Sequence, residues 1–313
     1  MYDVKTASRE REISLFFLLV PTIFVVVGLL FFPYPLPEEI KLLLPIPLFS
    51  CLALLSLGFS LKKEGITNKL KIVGWILFAF YWSTQPNSLY FGEDGDIFNA
   101  VLCIIGIYAL FYLAYHEWLS LKKGQIRCLN WAAGAAAIAG LIYFVIELTP
   151  LAPWLIETVA VHSGWLLNIF TGNVEVYGMN IYCGGSFAVS IIFACTAVQS
   201  MVLFVGMILP LTKVDMKRKA YGLLVTVVPI YFLNLIRNAL IAYLLAEDIT
   251  SFHMAHNVIG KGGSLVALIV LLFIVIRIVP EVFDEIICLT DLYKRNGPLE
   301  KIVSKLFLGK KQR

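Results

Sequence analysis

The sequence predicts an all-α polytopic membrane protein with about eight transmembrane helices and both termini in the cytoplasm. The 313 residues are 59% hydrophobic and 15% charged, and the mean hydropathy is +0.84. Apolar runs of roughly 20 residues, the length that crosses the hydrocarbon core as a helix, recur along the chain. Lys and Arg lie mainly between these runs, on one side of the predicted membrane. These observations exclude a soluble globular domain.

Eight apolar runs are predicted to span the membrane. The first lacks a small-residue cleavage site and ends next to Pro33 and Pro35, so we expect a retained helix and not a signal peptide. The third run is the shortest. The predicted spans are residues 13–32, 42–61, 70–84, 97–118, 129–148, 187–210, 219–245 and 258–280.

Charge predicts the orientation of these spans. The two termini and the loops after spans two, four and six hold 21 of the 25 basic residues. Because positive charge accumulates in cytoplasmic segments, both termini are predicted to be cytoplasmic. The opposite loops carry the acidic residues Glu38, Glu39, Glu93, Asp94, Asp96, Glu247 and Asp248.

The connection at 149–186 contains no Lys or Arg and is too long for a simple turn, so it is predicted to be structured on the outer side. Trp154–Phe170 carries an apolar stripe that is typical of an interfacial helix. After Gly172 the alternating run NVEVYGMNIYCGGSF predicts a short hairpin, and Gly184 and Gly185 form a flexible joint to span six. This connection would either roof a site that opens outward or simply pack on the bundle.

The predicted spans and loops divide the chain into four regions. We expect a five-helix N-terminal membrane region at 1–148, the outer connection at 149–186, a catalytic three-helix core at 187–280 and a basic cytoplasmic tail at 281–313.

The six cysteines are scattered and include no CxxC pair. This spacing excludes a zinc knuckle, a thioredoxin-type motif and a dense disulfide framework, so most cysteines are predicted to be small apolar side chains within helices. We expect no metal and no cofactor. The net charge of +4 comes from membrane-flanking residues, so no nucleic-acid partner is predicted.

One cysteine and one arginine are predicted to lie at the same depth. Cys195 is about nine residues, or roughly 13 Å, from the outer end of span six, and Arg237 is about eight residues, or roughly 12 Å, from the outer end of span seven. An intramembrane Arg costs several kcal/mol and is by default functional. Burial disfavours a thiolate, whereas a neighbouring cation favours it, so the pair suggests a nucleophilic thiol.

Polar neighbours would support this pair. On a continuous helix, Cys195 and Gln199 share one face, and Thr196 lies beside them. Asn234 and Asn238 would either hydrogen-bond the site or join two helices.

The third member of the site is predicted to be His256, which titrates near neutrality and can move a proton. His253 lies three residues earlier, but no further ligand completes a metal site. Arg277 is the weaker alternative, because it lies roughly 30 Å along its span from the outer end and would snorkel to the inner interface.

Three motifs together resemble the exosortase/archaeosortase family, most closely its archaeosortase A branch. They are FACTAVQS at 193–200, NLIRNALI at 234–241 and HMAHNVIGKGGSL at 253–265. The resemblance implies a membrane cysteine transpeptidase, a hydrolase or acyltransferase in the cell membrane of an archaeon. Its substrates would be membrane-anchored surface proteins, such as surface-layer glycoproteins, with a C-terminal Pro-Gly-Phe motif, an apolar helix and a basic cluster. Cleavage would be coupled to attachment of a membrane lipid at the new C-terminus.

The resemblance also implies residue roles. Cys195 would form the acyl-thioester, Arg237 would support proton transfer or the oxyanion, and His256 would occupy the third position. Some members of the archaeosortase A branch have Arg there, which keeps Arg277 open. Two other classes remain: a transporter or channel in which Arg237 binds an anion, and an inactive relative that only binds partners.

Overall fold

The computed structural model describes residues 4–63, 65–92 and 95–308 of the chain. Several charged residues that predict the topology lie outside the described residues, or have side chains outside them. They are Lys5, Arg9, Arg11, Glu93, Asp94, Lys305, Lys310, Lys311 and Arg313.

The chain divides into two units, residues 1–137 with 285–313 and residues 138–284. The first unit holds α1 (Val4–Phe31), α2 (Glu38–Leu43), α3 (Pro45–Ser60), α4 (Ile66–Ser83), α5 (Pro86–Phe91), α6 (Ile97–Lys123), the start of α7 (Arg127–Glu147), and a C-terminal helical segment. The second unit holds the rest of α7, α8 (Leu151–Thr171), β1 (Val174–Tyr177), β2 (Asn180–Cys183), β3 (Ser186–Ser190), α9 (Val198–Ile208), α10 (Met216–Ala246) and α11 (Lys261–Ile278). The C-terminal segment comprises α12 (Glu281–Thr290), which begins in the second unit, a 3-10 turn (Asp291–Arg295) and α13 (Pro298–Leu308).

The polytopic all-α prediction is confirmed. Among the described residues, six helical segments are long and apolar enough to cross a membrane: Glu12–Phe31, Glu38–Ser60, Ile97–Lys123, Arg127–Glu147, Met216–Ala246 and Met254–Ile278. The predicted third span corresponds to α4, which is not among them. The exact number of spans, the orientation of the termini and the division into four regions stay predictions.

The prediction of one continuous helix at 187–210 is wrong. Residues Ser186–Ser190 form β3, Phe193–Thr196 form a 3-10 turn, and only Val198–Ile208 are α-helical. The apolar run looked like a helix because composition alone does not separate a short buried strand followed by a helix from one long helix.

Polar groups are buried within the first unit. Lys71, whose charge contributed to the topology prediction, lies inside α4 and pairs with Glu117 of α6 at 2.9 Å, and both side chains are fully buried. Asn68 donates a hydrogen bond of 2.7 Å to the same carboxylate. The helical framework of this unit therefore encloses an ion pair whose carboxylate also accepts a hydrogen bond from Asn68.

A disulfide also lies in the first unit. It joins Cys128, on the first turn of α7, to Cys288 on α12. The expectation that cysteines are apolar side chains does not hold for this pair, whereas Cys51, Cys103, Cys183 and Cys195 are buried and are not disulfide-bonded.

The connection at 149–186 is structured, as predicted, and its location on the outer side stays a prediction. The predicted interfacial helix is α8, and the predicted hairpin is β1 with β2. Gly184 and Gly185 have φ of 61° and 80°, which suits glycine, and they turn the chain into β3, a third antiparallel strand that the sequence did not predict.

The core of the second unit forms between this three-stranded sheet and two helices. Ile181, Val189 and Ile191 belong to one buried cluster with α8 and α10 residues such as Val159 and Ala239. Cys195 belongs to the same cluster. The sheet therefore delivers Cys195 into the apolar interior of this unit.

Candidate active site

The backbone around Cys195 forms a strand–turn–helix arrangement. The Cys195 N–H donates to the Ile192 carbonyl at 2.8 Å, and the Thr196 hydroxyl donates to the Phe193 carbonyl at 2.7 Å. Ala197 then adopts φ 61°, the left-handed region that non-glycine residues rarely occupy, and α9 begins at the next residue. Such strained positions occur most often at functional sites.

The predicted placement of the polar side chains around Cys195 is wrong for Gln199. Cys195 and Gln199 do not share one helical face, because the left-handed Ala197 separates the 3-10 turn from α9. Cys195 is only 5% exposed and Thr196 is buried, whereas Gln199 is exposed. Cys195 instead precedes the N-terminus of α9, where the unpaired amide groups favour negative charge.

Two asparagines of α10 hold the backbone of Cys195. The side-chain amides of Asn234 and Asn238 donate to the Cys195 carbonyl at 2.7 and 3.0 Å. Both side chains are buried, and they lie one helical turn apart on the same face of α10. We call these two residues the asparagine clamp. The clamp fixes the chain at Cys195 against α10.

Arg237 lies on the edge of the same face of α10. At 100° per residue it is turned about 60° from Asn234. The side chain is partly buried and makes no hydrogen bond or ion pair with the described residues, and its Nε is buried without an acceptor. A buried donor without an acceptor is costly, so this guanidinium suits an oxygen or anion that a bound molecule would bring.

His256 lies in a π-helix, Met254–Gly260, that leads directly into α11. Its ring is buried and stacks on Phe252 with 5.2 Å between centroids and an interplanar angle of 8°. π-helical insertions are rare and are frequent at functional sites. Sequence patterns did not predict this feature.

The π-helix packs against α10 close to Arg237. A Cβ built on Gly260, its last residue, would lie 3.1 Å from the Arg237 Nε and 2.9 Å from the Ile241 Cδ1. Helix α10 therefore contacts the Cys195 turn on one flank and the π-helix on the neighbouring flank. The GKGG run was the only sequence signal for this close approach.

Arg277, the alternative third residue, is exposed on the last turn of α11. It lies 17 residues after Gly260, or about 25 Å along the helix. The structure therefore separates Arg277 from the group of Arg237 and the π-helix.

One group of possible metal ligands is present among the described residues. The ligand atoms of Cys128, Glu285 and Cys288 lie within 4.8 Å of one another in the first unit. Two of these ligands form the disulfide, and the Arg127 Nε lies 2.6 Å from a Glu285 carboxylate oxygen. Oxidised sulfurs and a carboxylate already paired with Arg are poor ligands for a cation.

A family model described as transmembrane exosortase (Exosortase_EpsH) matches residues 46–274, which is well over half of the chain. The chain belongs to this exosortase family. It is similar to archaeosortase A from Haloferax volcanii, with 25% identity over an alignment of 264 residues that covers 72% of this chain and 85% of that protein. No solved structure matches. The resemblance read from the sequence is thus confirmed, and exosortase membership implies a multi-pass membrane sorting enzyme of the cysteine transpeptidase type.

Proposed function

We propose that this exosortase cleaves a C-terminal sorting signal of surface proteins and transfers the new C-terminus to a lipid, with Cys195 as nucleophile. The observation that carries the proposal is the asparagine clamp. Asn234 and Asn238 hold the Cys195 backbone carbonyl against α10, and Arg237 lies on the same helix, one residue from the clamp. A thiol and a permanent cation on adjoining elements are what acyl transfer through a thioester needs.

The first half-reaction forms the thioester. The Cys195 thiolate attacks the scissile carbonyl carbon, and the C–N bond breaks as the amine leaves with a proton from His256. The Arg237 guanidinium, which lacks a partner among the described residues, stabilises the oxygen that becomes negative. The N-terminus of α9 adds a favourable field for the thiolate.

The second half-reaction releases the product. His256 accepts a proton from a lipid hydroxyl or amine, and that atom attacks the thioester carbonyl as the Cys195 thiolate leaves. Transfer to the lipid instead of hydrolysis requires that water be kept from the thioester.

The predicted topology suits a tailed substrate. A substrate helix with a basic cytoplasmic end would place its Pro-Gly-Phe type motif at the outer surface. The catalytic group, under the predicted orientation, faces outward in the cell membrane and meets both that motif and a lipid acceptor there.

The test is processing of a reporter that ends in a Pro-Gly-Phe motif, an apolar helix and a basic cluster. Cells that express Cys195→Ala or Arg237→Ala should accumulate the unprocessed reporter, whereas Cys183→Ala should process it normally. Cys183 is the matched control because it is a buried free thiol of the same apolar cluster. Normal processing by Cys195→Ala would refute the proposal.

The transporter or channel alternative makes a different prediction. The unpartnered Arg237 Nε would also suit an anion on a transport path. In that case Arg237→Ala would abolish anion uptake into proteoliposomes, and Cys195→Ala would leave uptake unchanged.

A further inference from the structure

The backbone conformation at Gly260 does not require glycine. Its φ and ψ are −66° and −50°, which are ordinary right-handed helical values. Alanine is more stable than glycine within a helix, so the sequence gives up helical stability at this residue. The reason for glycine must lie in the space around it.

Three atoms leave too little room there for a side chain. A Cβ on Gly260 would lie 2.9 Å from the Ile241 Cδ1, 3.1 Å from the Arg237 Nε and 3.2 Å from the Ala255 carbonyl oxygen. Real Cβ atoms almost never approach a heavy atom under 3.0 Å, and the 3.1 and 3.2 Å separations are tighter than nine in ten real Cβ contacts. Gly262 and Gly263, two and three residues later, would meet nothing within 4 Å. Of these three glycines, Gly260 alone is sterically constrained.

Of the three neighbours of Gly260, the Arg237 guanidinium is the one that belongs to the candidate active site. It makes no contact with an acceptor among the described residues, so no hydrogen bond fixes its direction. On α10, Arg237 and Ile241 are one turn apart and both approach Gly260, whereas Asn234 and Asn238 hold Cys195 on the adjoining flank. The π-helix backbone at Gly260 is therefore one surface against which the guanidinium lies.

We propose that Gly260 is a positioning residue, whose missing side chain lets Arg237 lie flat against the π-helix with its charged end toward Cys195. The proposal rests on the proposed function, in which Arg237 acts on the Cys195 thiolate and on the oxyanion. A methyl group at residue 260 would displace the Nε edge and turn the charge away from the sulfur.

The experiment measures alkylation of Cys195 by iodoacetamide across pH, using the full-length protein in nanodiscs and mass spectrometry of the Cys195 peptide. The variants are Gly260→Ala, its control Gly262→Ala, and Arg237→Gln as the reference without the cation. Only the thiolate reacts, so the rate at neutral pH reports how far the cation favours it. No substrate is needed, and thermal unfolding of each variant checks that it is folded.

We expect Gly260→Ala to slow alkylation about three- to tenfold at neutral pH, toward the Arg237→Gln rate, and Gly262→Ala to leave it unchanged. Adding Gly260→Ala to Arg237→Gln should cause no further loss, because both changes act on the same charge. A wild-type rate in folded Gly260→Ala would overturn the inference and leave the proposed function intact. A wild-type rate in Arg237→Gln would instead overturn the role of Arg237 in the proposed function.

A second variant separates the effect of the Arg237 contact from the effect of steric crowding against Ile241. Ile241→Val removes the Cδ1 atom that is nearest to the added methyl group. Gly260→Ala with Ile241→Val should therefore fold more easily but still show slow alkylation, because the Arg237 contact remains. Recovery of the wild-type rate in this double variant would overturn the inference.

Discussion

Removal of the asparagine clamp should destabilise the protein in a non-additive way. The Cys195 carbonyl accepts two hydrogen bonds, from Asn234 and Asn238, and all three residues are buried. Asn234→Ala or Asn238→Ala alone leaves the carbonyl one donor, so each should cost about 0.5–1.5 kcal/mol. The double variant leaves a buried carbonyl without a donor, which adds about 1–3 kcal/mol to the sum of the single costs.

The assay is reversible unfolding in mixed detergent micelles, followed by circular dichroism, together with reporter processing. Asn238→Asp is the isosteric control, because it keeps the shape but replaces the donor with a second acceptor facing the carbonyl. We expect it to cost at least as much as Asn238→Ala. Strictly additive losses in the double variant would refute the view that the two amides share one acceptor.

Two further predictions concern the residues outside the clamp. Cys128→Ser should lower the midpoint of thermal unfolding as much as reduction of the wild type does, because it opens a loop with a sequence separation of 160; chain entropy gives an upper limit of about 5 kcal/mol. An unchanged unfolding midpoint in Cys128→Ser, together with reaction of the Cys288 thiol with a labelling reagent in the non-reduced wild type, would contradict the disulfide. Burial alone would raise the pKa of Glu281, but hydrogen bonds from Arg218 outweigh it and the pKa is lowered. This pair therefore stabilises the fold above the ordinary carboxyl pKa and loses that effect as pH falls through the lowered value. Glu281→Gln should remove this pair's share of the stability that is lost between pH 6 and 3, as measured by unfolding curves at each pH. A dependence of stability on pH equal to that of the wild type would contradict this prediction.

Much of the helical framework could be predicted from the sequence, because long apolar runs and their charged flanks report directly on membrane spans. The surroundings of Cys195 could not. The run SFAVS is apolar and adjoins a helical pattern, so periodicity placed it in one helix, whereas backbone pairing with β2 makes it a strand. Tertiary pairing overrode local propensity at this point.

The candidate site was predicted by residue type more than by geometry. Asn234 and Asn238 were expected near the thiol, but only the structure assigns both amides to one backbone carbonyl. The steric role of Gly260 depends on a π-helix, which has no reliable sequence pattern. The disulfide joins residues 160 apart, and spacing alone does not specify such a partner.

The most direct test of the account is detection of the acyl-enzyme. Wild-type protein incubated with the tailed reporter is quenched in acid and digested, and the Cys195 peptide is analysed by mass spectrometry. We predict a mass increase equal to the new C-terminal peptide of the reporter, which neutral hydroxylamine removes and which Cys195→Ala lacks. Reporter cleavage without any adduct at Cys195, or with undiminished cleavage in Cys195→Ala, would contradict a thioester mechanism.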